Sequence, residues 1–246
     1  HLLLNPNGDR LAFLHRYRLD DGGEMTRLMT IAIDGSNLRC LAYGYLSHFD
    51  WKDNDSILIW GRSNQTVANL RENLFLKKIL ASKLMMNIKP IVRKLLNKSK
   101  AMNLSFNLVK DSNKLSMTKI AENIIKSDGH PMVNPLNRDV MICDTYPNSD
   151  GIRTLMLYRF STNTRVNLGE YKMIKDKPSD NVVNEFSTSI DPMIRDVFNA
   201  DDYSFTRSGL HCDLHPRWLS NGKSVAFDSI HEGTRQIYIA NVEKYI

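Results

Sequence analysis

HPRWLSNGKSVAFDSIHEG (residues 215–233) reads as a short strand, a tight polar turn and a second, alternating strand. Trp218 closes the first apolar run. Asn221-Gly222 supplies a turn dipeptide that tolerates positive φ, and Val225 and Phe227 alternate with polar neighbours. The same plan recurs in HLLLNPNGDRLAFLHRYR (1–18), HFDWKDNDSILIWGRS (48–63) and HPMVNPLNRDVMICDTYP (130–147). Each copy opens on a histidine: His1, His48, His130, His215. Three positions on stands an apolar residue: Leu4, Trp51, Val133, Trp218. An alternating pair follows the turn: Leu11/Phe13, Ile57/Ile59, Val140/Ile142, Val225/Phe227. A period of two is the pattern of a half-buried antiparallel strand.

More strands extend the plan. MTRLMTIAIDGSNLRCLA (25–42) is a strand, an Asp-Gly turn and a strand, and IRTLMLYRFSTNTRVNLG (152–169) repeats it with Ser-Thr-Asn at the turn. TRQIYIANVE (234–243) adds a third strand to the last copy. Four strands in about 40–45 residues is the size of a propeller blade. The predicted class is all-β: a β-propeller of four-stranded antiparallel blades, four of them visible. Residues 1–246 are expected to form a single propeller domain, a fragment of a ring of about six to seven blades.

The copies are unevenly spaced: 47 residues from His1 to His48, 82 to His130 and 85 to His215. Extra material is expected in the two longer intervals, as a cryptic blade or, the favoured reading, as insertions. Residues 69–102 read as a helical insertion, with apolar residues at 70, 74, 80, 84, 88, 91 and 95 and an interruption near Pro90. Residues 172–207 read as a long loop insertion.

Charge follows this division. Residues 71–126 hold 13 Lys/Arg against 3 Asp/Glu, whereas the other residues hold 20 against 24. The formal charge of +6 therefore belongs to one inserted segment on a mildly acidic body. That distribution argues against a uniformly basic nucleic-acid-binding domain, and Phe75 alone in 69–100 makes no stacking platform for bases. The basic face of 69–100 is expected to cap a blade edge, with peripheral contact to an anionic membrane as the competing reading.

Composition is that of an ordinary globular chain, 42% hydrophobic and 24% charged. No run of 18 or more uncharged apolar residues exists to cross a membrane as a helix. Cys40, Cys143 and Cys212 are too few and too scattered for a disulfide framework. They point to a reducing compartment, and the expected location is cytoplasmic. The chain opens on His1 with neither an initiator Met nor a signal-peptide pattern, which is read as a truncated N-terminus.

Candidate chemistry lies with the histidines. First strands of successive blades line one channel, so His48, His130 and His215 are expected to converge. In an extended chain alternate residues share a face, which puts His211, Asp213 and His215 together. Imidazole with carboxylate suits Mn²⁺, Zn²⁺ or Fe²⁺. The competing reading is structural, each ring bonded to a backbone carbonyl of the next blade. Cys212 is expected to be a small buried residue, and Asp228, His231 and Glu232 to serve a solvated turn. Glycine-rich phosphate loops, nucleophile elbows and HExxH are absent from the sequence.

NPNGDRLAF (5–13) and LSNGKSVAF (219–227) resemble the S-P-D-G-x-x-I-A-F core of TolB-type, WD-like propeller repeats. The order HxxW…GHP…DTYP…DLHPRW…DSxHEG further resembles the oligogalacturonate lyase family. The likeness spans 1–63, 128–170 and 209–246. It implies a divalent-metal β-elimination on uronic acid oligomers, with Mn²⁺ as the cofactor. The metal ligands it implies are His130, Asp213 and His215, with His48 nearby in the pocket and Arg16 or Arg18 as the base and carboxylate binder; His211 joins the candidate ligands through the face it shares with Asp213 and His215. The family often carries His-x-His after a Gln, where this chain has Asp213-Leu214-His215 after His211. The alternative function is a non-catalytic propeller that binds saccharide or a protein partner.

Overall fold

The computed structural model describes residues 2–18, 24–63, 104–173 and 212–246. The predicted 69–102 helix and nearly all of the 172–207 loop lie outside the described residues. Fourteen strands are described. The first seven are β1 (Leu2–Leu4), β2 (Arg10–Arg18), β3 (Glu24–Ala32), β4 (Arg39–Trp51), β5 (Ser56–Ser63), β6 (Ser105–Lys110) and β7 (Met117–Ile120). They are hydrogen-bonded in chain order in one sheet. The next four are β8 (Met132–Val133), β9 (Val140–Cys143), β10 (Ile152–Arg159) and β11 (Thr164–Lys172), in the order β11-β10-β9-β8. The last three, β12 (Arg217–Trp218), β13 (Ser224–Ser229) and β14 (Gln236–Asn241), form a sheet in chain order. Strand pairs with a defined register run antiparallel. Among the described residues the helical content is a single 3-10 turn, Glu243–Tyr245. No described helix is long and apolar enough to cross a membrane.

The chain divides into two compact units. One is His1–Asp128 with Thr162–Thr164, and the other is Gly129–Ser161 with Arg165–Ile246. The first unit holds the copies that begin at His1 and His48, and the second those that begin at His130 and His215. Each unit joins its two copies in the same way. Trp51, three residues after His48, donates its indole N–H to the carbonyl of Leu3, two residues after His1, at 2.9 Å. Trp218, three after His215, donates to the carbonyl of Met132, two after His130, also at 2.9 Å. A large ring on the inner strand thus buries itself on the preceding copy and satisfies its one donor there.

The turns repeat as well. Gly8 N–H donates to Asn5 O and Asn5 N–H to Arg10 O, each at 2.9 Å. Gly222 N–H donates to Leu219 O and Leu219 N–H to Ser224 O, again at 2.9 Å. The positive φ falls on the glycines, +74° and +62°, and their preceding asparagines stay in ordinary backbone regions. In the second unit the turns interlock, Asn134 Nδ2 donating to Gly222 O at 2.7 Å.

The seven-stranded sheet differs from the predicted separation into four-stranded blades. β4 serves both copies of the first unit, pairing with β3 from Arg39 to Gly44 and with β5 from Gly44 to Trp51. No glycine or proline interrupts it at Tyr45–Trp51, and its pairing with β5 shifts register between Leu46 and Phe49. β6 and β7 were not foreseen; β6 pairs directly with β5, so residues 64–104 connect two neighbouring strands.

Apolar alternation fills each core. In the first unit Ala12, Leu28, Leu41, Phe49, Trp51, Ile57, Ile59 and Val109 pack together. In the second Val140, Ile142, Leu155, Leu157, Leu214, Trp218, Val225 and Phe227 do so. A buried carboxylate ties four parts of the first unit. Asp111 pairs with the guanidinium of Arg10, lies 3.1 Å from Arg39 Nη1 and accepts from Thr30 Oγ1 at 2.7 Å. Asp111→Ala is expected to destabilise by about 2–3 kcal/mol in urea titration. That is below the range for fully buried pairs, because Arg10 and Arg39 both reach water.

Candidate metal centre

His130, Asp213 and His215 come together in the second unit, with one ligand atom from each lying within 4.8 Å of the others. Their positions follow from local sequence. Residues 212–216 lie before β12 and belong to no strand, and burial alternates along them: Cys212, Leu214 and Pro216 are buried, while Asp213 and His215 are half-buried. Leu214 enters the core, so Asp213 and His215 share the opposite face, as the alternation predicts. His130 stands two residues before β8, where Gly129 lets the chain run against Asp144. A Cβ at Gly129 would fall 1.9 Å from the Asp144 carbonyl oxygen.

The two imidazoles stack, with ring centroids 3.7 Å apart and planes inclined by 28°. His130 Nε2 lies 4.0 Å from Asp213 Oδ2. Asp213 Oδ1 lies 2.6 Å from Arg153 Nη2, and the Arg153 side chain is almost wholly buried. Tyr146 completes the surround, its ring 5.9 Å from that of His130 and 5.8 Å from the Arg153 guanidinium carbon.

Beneath the pair lies Asp144, with no exposed surface. It accepts the backbone N–H of His130 at 2.6 Å and of His215 at 3.1 Å. His130 Nδ1 is 3.0 Å from both of its oxygens. Burial works against its charge, but the bonds from His130 and His215 and the adjacent imidazole outweigh it, and its pKa is lowered. His215 has left-handed backbone, φ +42°. Burial, then the neighbouring His130 and Arg217, push its ring pKa down to about 4, so it is neutral at pH 7. Arg217 Nη2 lies 3.3 Å from His215 Nδ1, and a guanidinium can only donate. An ion at His215 therefore replaces Arg217 at Nδ1 or the proton at Nε2.

The other predicted residues are placed as follows. His48 belongs to the first unit, where its Nδ1 is 3.0 Å from Asp128 Oδ1 and 3.1 Å from Ser47 Oγ. Arg16 is exposed on β2, paired through its backbone with Thr26, and Arg18 pairs with Glu24 at the end of the same ladder. His211 lies outside the described residues. Cys212 is buried, and burial raises its thiol pKa, which suits a packing role. Asp228 pairs with Arg235 at 2.8 Å, Glu232 accepts from Tyr238 at 2.8 Å and His231 meets Ser229 at 2.8 Å, all local contacts of one hairpin.

Sequence reasoning missed Asp144 and Arg153 as parts of this site. Asp144 stands in the DTYP stretch after an apolar strand, where a carboxylate following four buried residues is a signal. Arg153 carried no such mark, since an arginine one residue into a strand normally faces solvent.

The donor set fits a first-row divalent ion. Bonds of about 2.0–2.2 Å put neighbouring donors of a tetrahedral site about 3.4 Å apart, so the three ligand atoms, which lie within 4.8 Å of one another, would have to draw together around an ion. Asp144 and Asp213 are balanced by the guanidinium of Arg153 and by that of Arg217 beside His215, so a cation would meet two imidazoles and a carboxylate at a site of about zero net charge.

No family model matches the chain, and no curated protein sequence matches it. Solved structures similar to it include TolB from Acinetobacter baumannii, at 12% identity and a TM-score of 0.45 over 98% of this chain and 38% of that one. An oligogalacturonate lyase in complex with manganese is similar at 12% identity and a TM-score of 0.45, over 98% of this chain and 64% of the lyase. The β-propeller domain of the Trilobed protease from Pyrococcus furiosus is similar at 9% identity and a TM-score of 0.41, over 98% and 66%. Both groups named by the sequence resemblance are thus among the similar structures, and this chain spans well under two thirds of the TolB chain and just under two thirds of the lyase.

Proposed function

We propose that this chain is part of a β-propeller protein of carbohydrate chemistry that binds a divalent cation, Mn²⁺ first, at His130, Asp213 and His215, and that it performs β-elimination on a uronic acid oligosaccharide. The observation that carries this reading is the state of His130. Its Nδ1 is held by the buried Asp144, and its Nε2 faces Asp213. A histidine bonded to carboxylate at one nitrogen and to metal at the other is a recurrent arrangement in metalloproteins.

The chain's own groups divide the work. Asp144 orients His130, and Arg153 holds one oxygen of Asp213. The neutral ring of His215 has one lone pair, which Arg217 meets at Nδ1, so an ion held there would displace that guanidinium. A bound divalent ion supplies the charge that draws electron density from a carboxylate placed against it. With the ion present the local charge becomes positive, so the ligand that suits the site is an anion such as a uronate. The resemblance assigns proton abstraction to Arg16 or Arg18, with His48 assisting.

The test is incubation of the protein with oligogalacturonate and Mn²⁺, followed in the near ultraviolet. The expected result is an unsaturated product that fails to form in EDTA and forms again when Mn²⁺ is restored. Saccharide binding without turnover across several uronides would replace this reading with that of a non-catalytic binding propeller.

A further inference from the structure

Two of the three proposed ligands reach the site from segments 85 residues apart in sequence, and one side chain bonds to both. Asp144 follows β9 directly and is wholly buried. Its Oδ1 takes the backbone N–H of His130 at 2.6 Å and its Oδ2 that of His215 at 3.1 Å. The imidazole of His130 lies across both oxygens, with Nδ1 at 3.0 Å from each. A carboxylate with two backbone donors already on it acts as an acceptor, so the ring nitrogen between its oxygens must bring the proton. His215 adopts φ +42°, a region that side-chain-bearing residues occupy only when the surroundings enforce it. Its N–H bond to Asp144 is one such constraint. A substituent at Gly129 would push the His130 segment away from Asp144, since a Cβ there meets the Asp144 carbonyl oxygen at 1.9 Å.

We propose that Asp144 is the positioning residue of this centre: it fixes His130 as the Nδ1–H tautomer, with Nε2 bare, and pins the His215 backbone, so that the ligands are assembled before the ion arrives. This rests on the cation reading above for its consequence, though not for its geometry. Asparagine at 144 has nearly the same shape but only one accepting oxygen. Its NH₂ replaces one of two oxygens, so it faces the backbone N–H of His130 or of His215 and, in either arrangement, His130 Nδ1 as well. Where it donates to Nδ1, the ring proton moves to Nε2, where it blocks the ion. A carboxylate-to-amide change next to a histidine acts in this way in a serine protease triad.

The experiment uses the full 246-residue chain with ¹⁵N-labelled histidine. Long-range ¹⁵N–¹H correlation at pH 8, without added metal, reads which nitrogen of His130 bears the proton; His130→Gln assigns the signal. The expected result is Nδ1–H with unprotonated Nε2 in the wild type, and Nε2–H in Asp144→Asn. Mn²⁺ titrations by calorimetry are expected to show a 10–100-fold weaker Kd for Asp144→Asn, and Asp144→Glu to recover part of the loss. A wild-type His130 protonated at Nε2 overturns the proposal without recourse to any variant. Equal Mn²⁺ affinity in wild type and a folded Asp144→Asn also overturns it. Should the wild type bind neither Mn²⁺ nor Zn²⁺ while His130 shows the Nδ1–H tautomer, the cation reading falls and the tautomer assignment stands.

Discussion

Gly61→Ala is expected to destabilise the first unit by more than about 4 kcal/mol, near the upper end for single substitutions. Gly61 lies within β5, paired with Leu46 on one side and Ser105 on the other. Its φ of +143° lies in a region that a side chain strongly disfavours. A Cβ at this position would fall 2.1 Å from the Tyr45 carbonyl oxygen and 3.0 Å from the Leu46 Cα. Those are backbone atoms, so no rotamer change relieves the contact. Separation of β4 from β5 is the remaining way out. It would open the ladder where the register shifts, next to the buried Leu58, Ile59 and Trp60. It would also strain the bond from Asn107 Nδ2 to the Gly61 carbonyl, 2.9 Å long and fully buried. Gly8→Ala is the control, because Gly8 has positive φ but nothing within 4 Å of its Cβ position. That variant is expected to lose about 1 kcal/mol. Urea titration of the two measures the difference, and similar losses in both would sink the close-approach account.

Gly61 also shows where the sequence is legible. The strands of the four copies and their turns follow from period-two alternation and Asn-Gly turns, which are local properties, whereas the bonds by which Trp51 and Trp218 join the copies are long-range. The fusion of two copies through β4 is not local. It depends on Gly61 approaching Tyr45, and a glycine in a strand does not announce which backbone it will meet. The site divides likewise. His130, Asp213 and His215 are visible because they hold equivalent places in a repeat or alternate in sequence; burial does alternate over 212–216, although the left-handed backbone of His215 departs from the extended chain that the alternation predicts. Asp144 was quoted within a motif yet not recognised, since burial and its two backbone donors come from tertiary packing. Arg153 defeats the composition rule outright: it is 1% exposed, and its pairing with Asp213 compensates the buried charge.

That pairing gives the second large effect. Asp213→Ala removes a proposed ligand and the counter-ion of a buried guanidinium together. Among the described residues Arg153 keeps 3.3 Å contacts to the Thr145 carbonyl and to Met173 Sδ and the Tyr146 ring at 5.8 Å, none of which carries full negative charge. Removing one partner of a buried pair typically costs about 3–5 kcal/mol, because the other charge stays behind. The lower end is expected here, about 3 kcal/mol, since the Asp213 side chain is 21% exposed and water can enter where it stood. Cation affinity is expected to fall at least about 100-fold, since one of three donors is gone. The two losses have different causes and separate in the double variant Asp213→Ala/Arg153→Met. An apolar chain of similar length at 153 needs no counter-ion, so stability should return to within about 1 kcal/mol of wild type. Mn²⁺ binding should not return, because methionine restores no donor at the Asp213 position. Recovery of both would mean that Asp213 serves only as the partner of Arg153, and would remove it from the ligand set. Recovery of neither would mean that the carboxylate holds residues 212–216 in place through contacts other than Arg153.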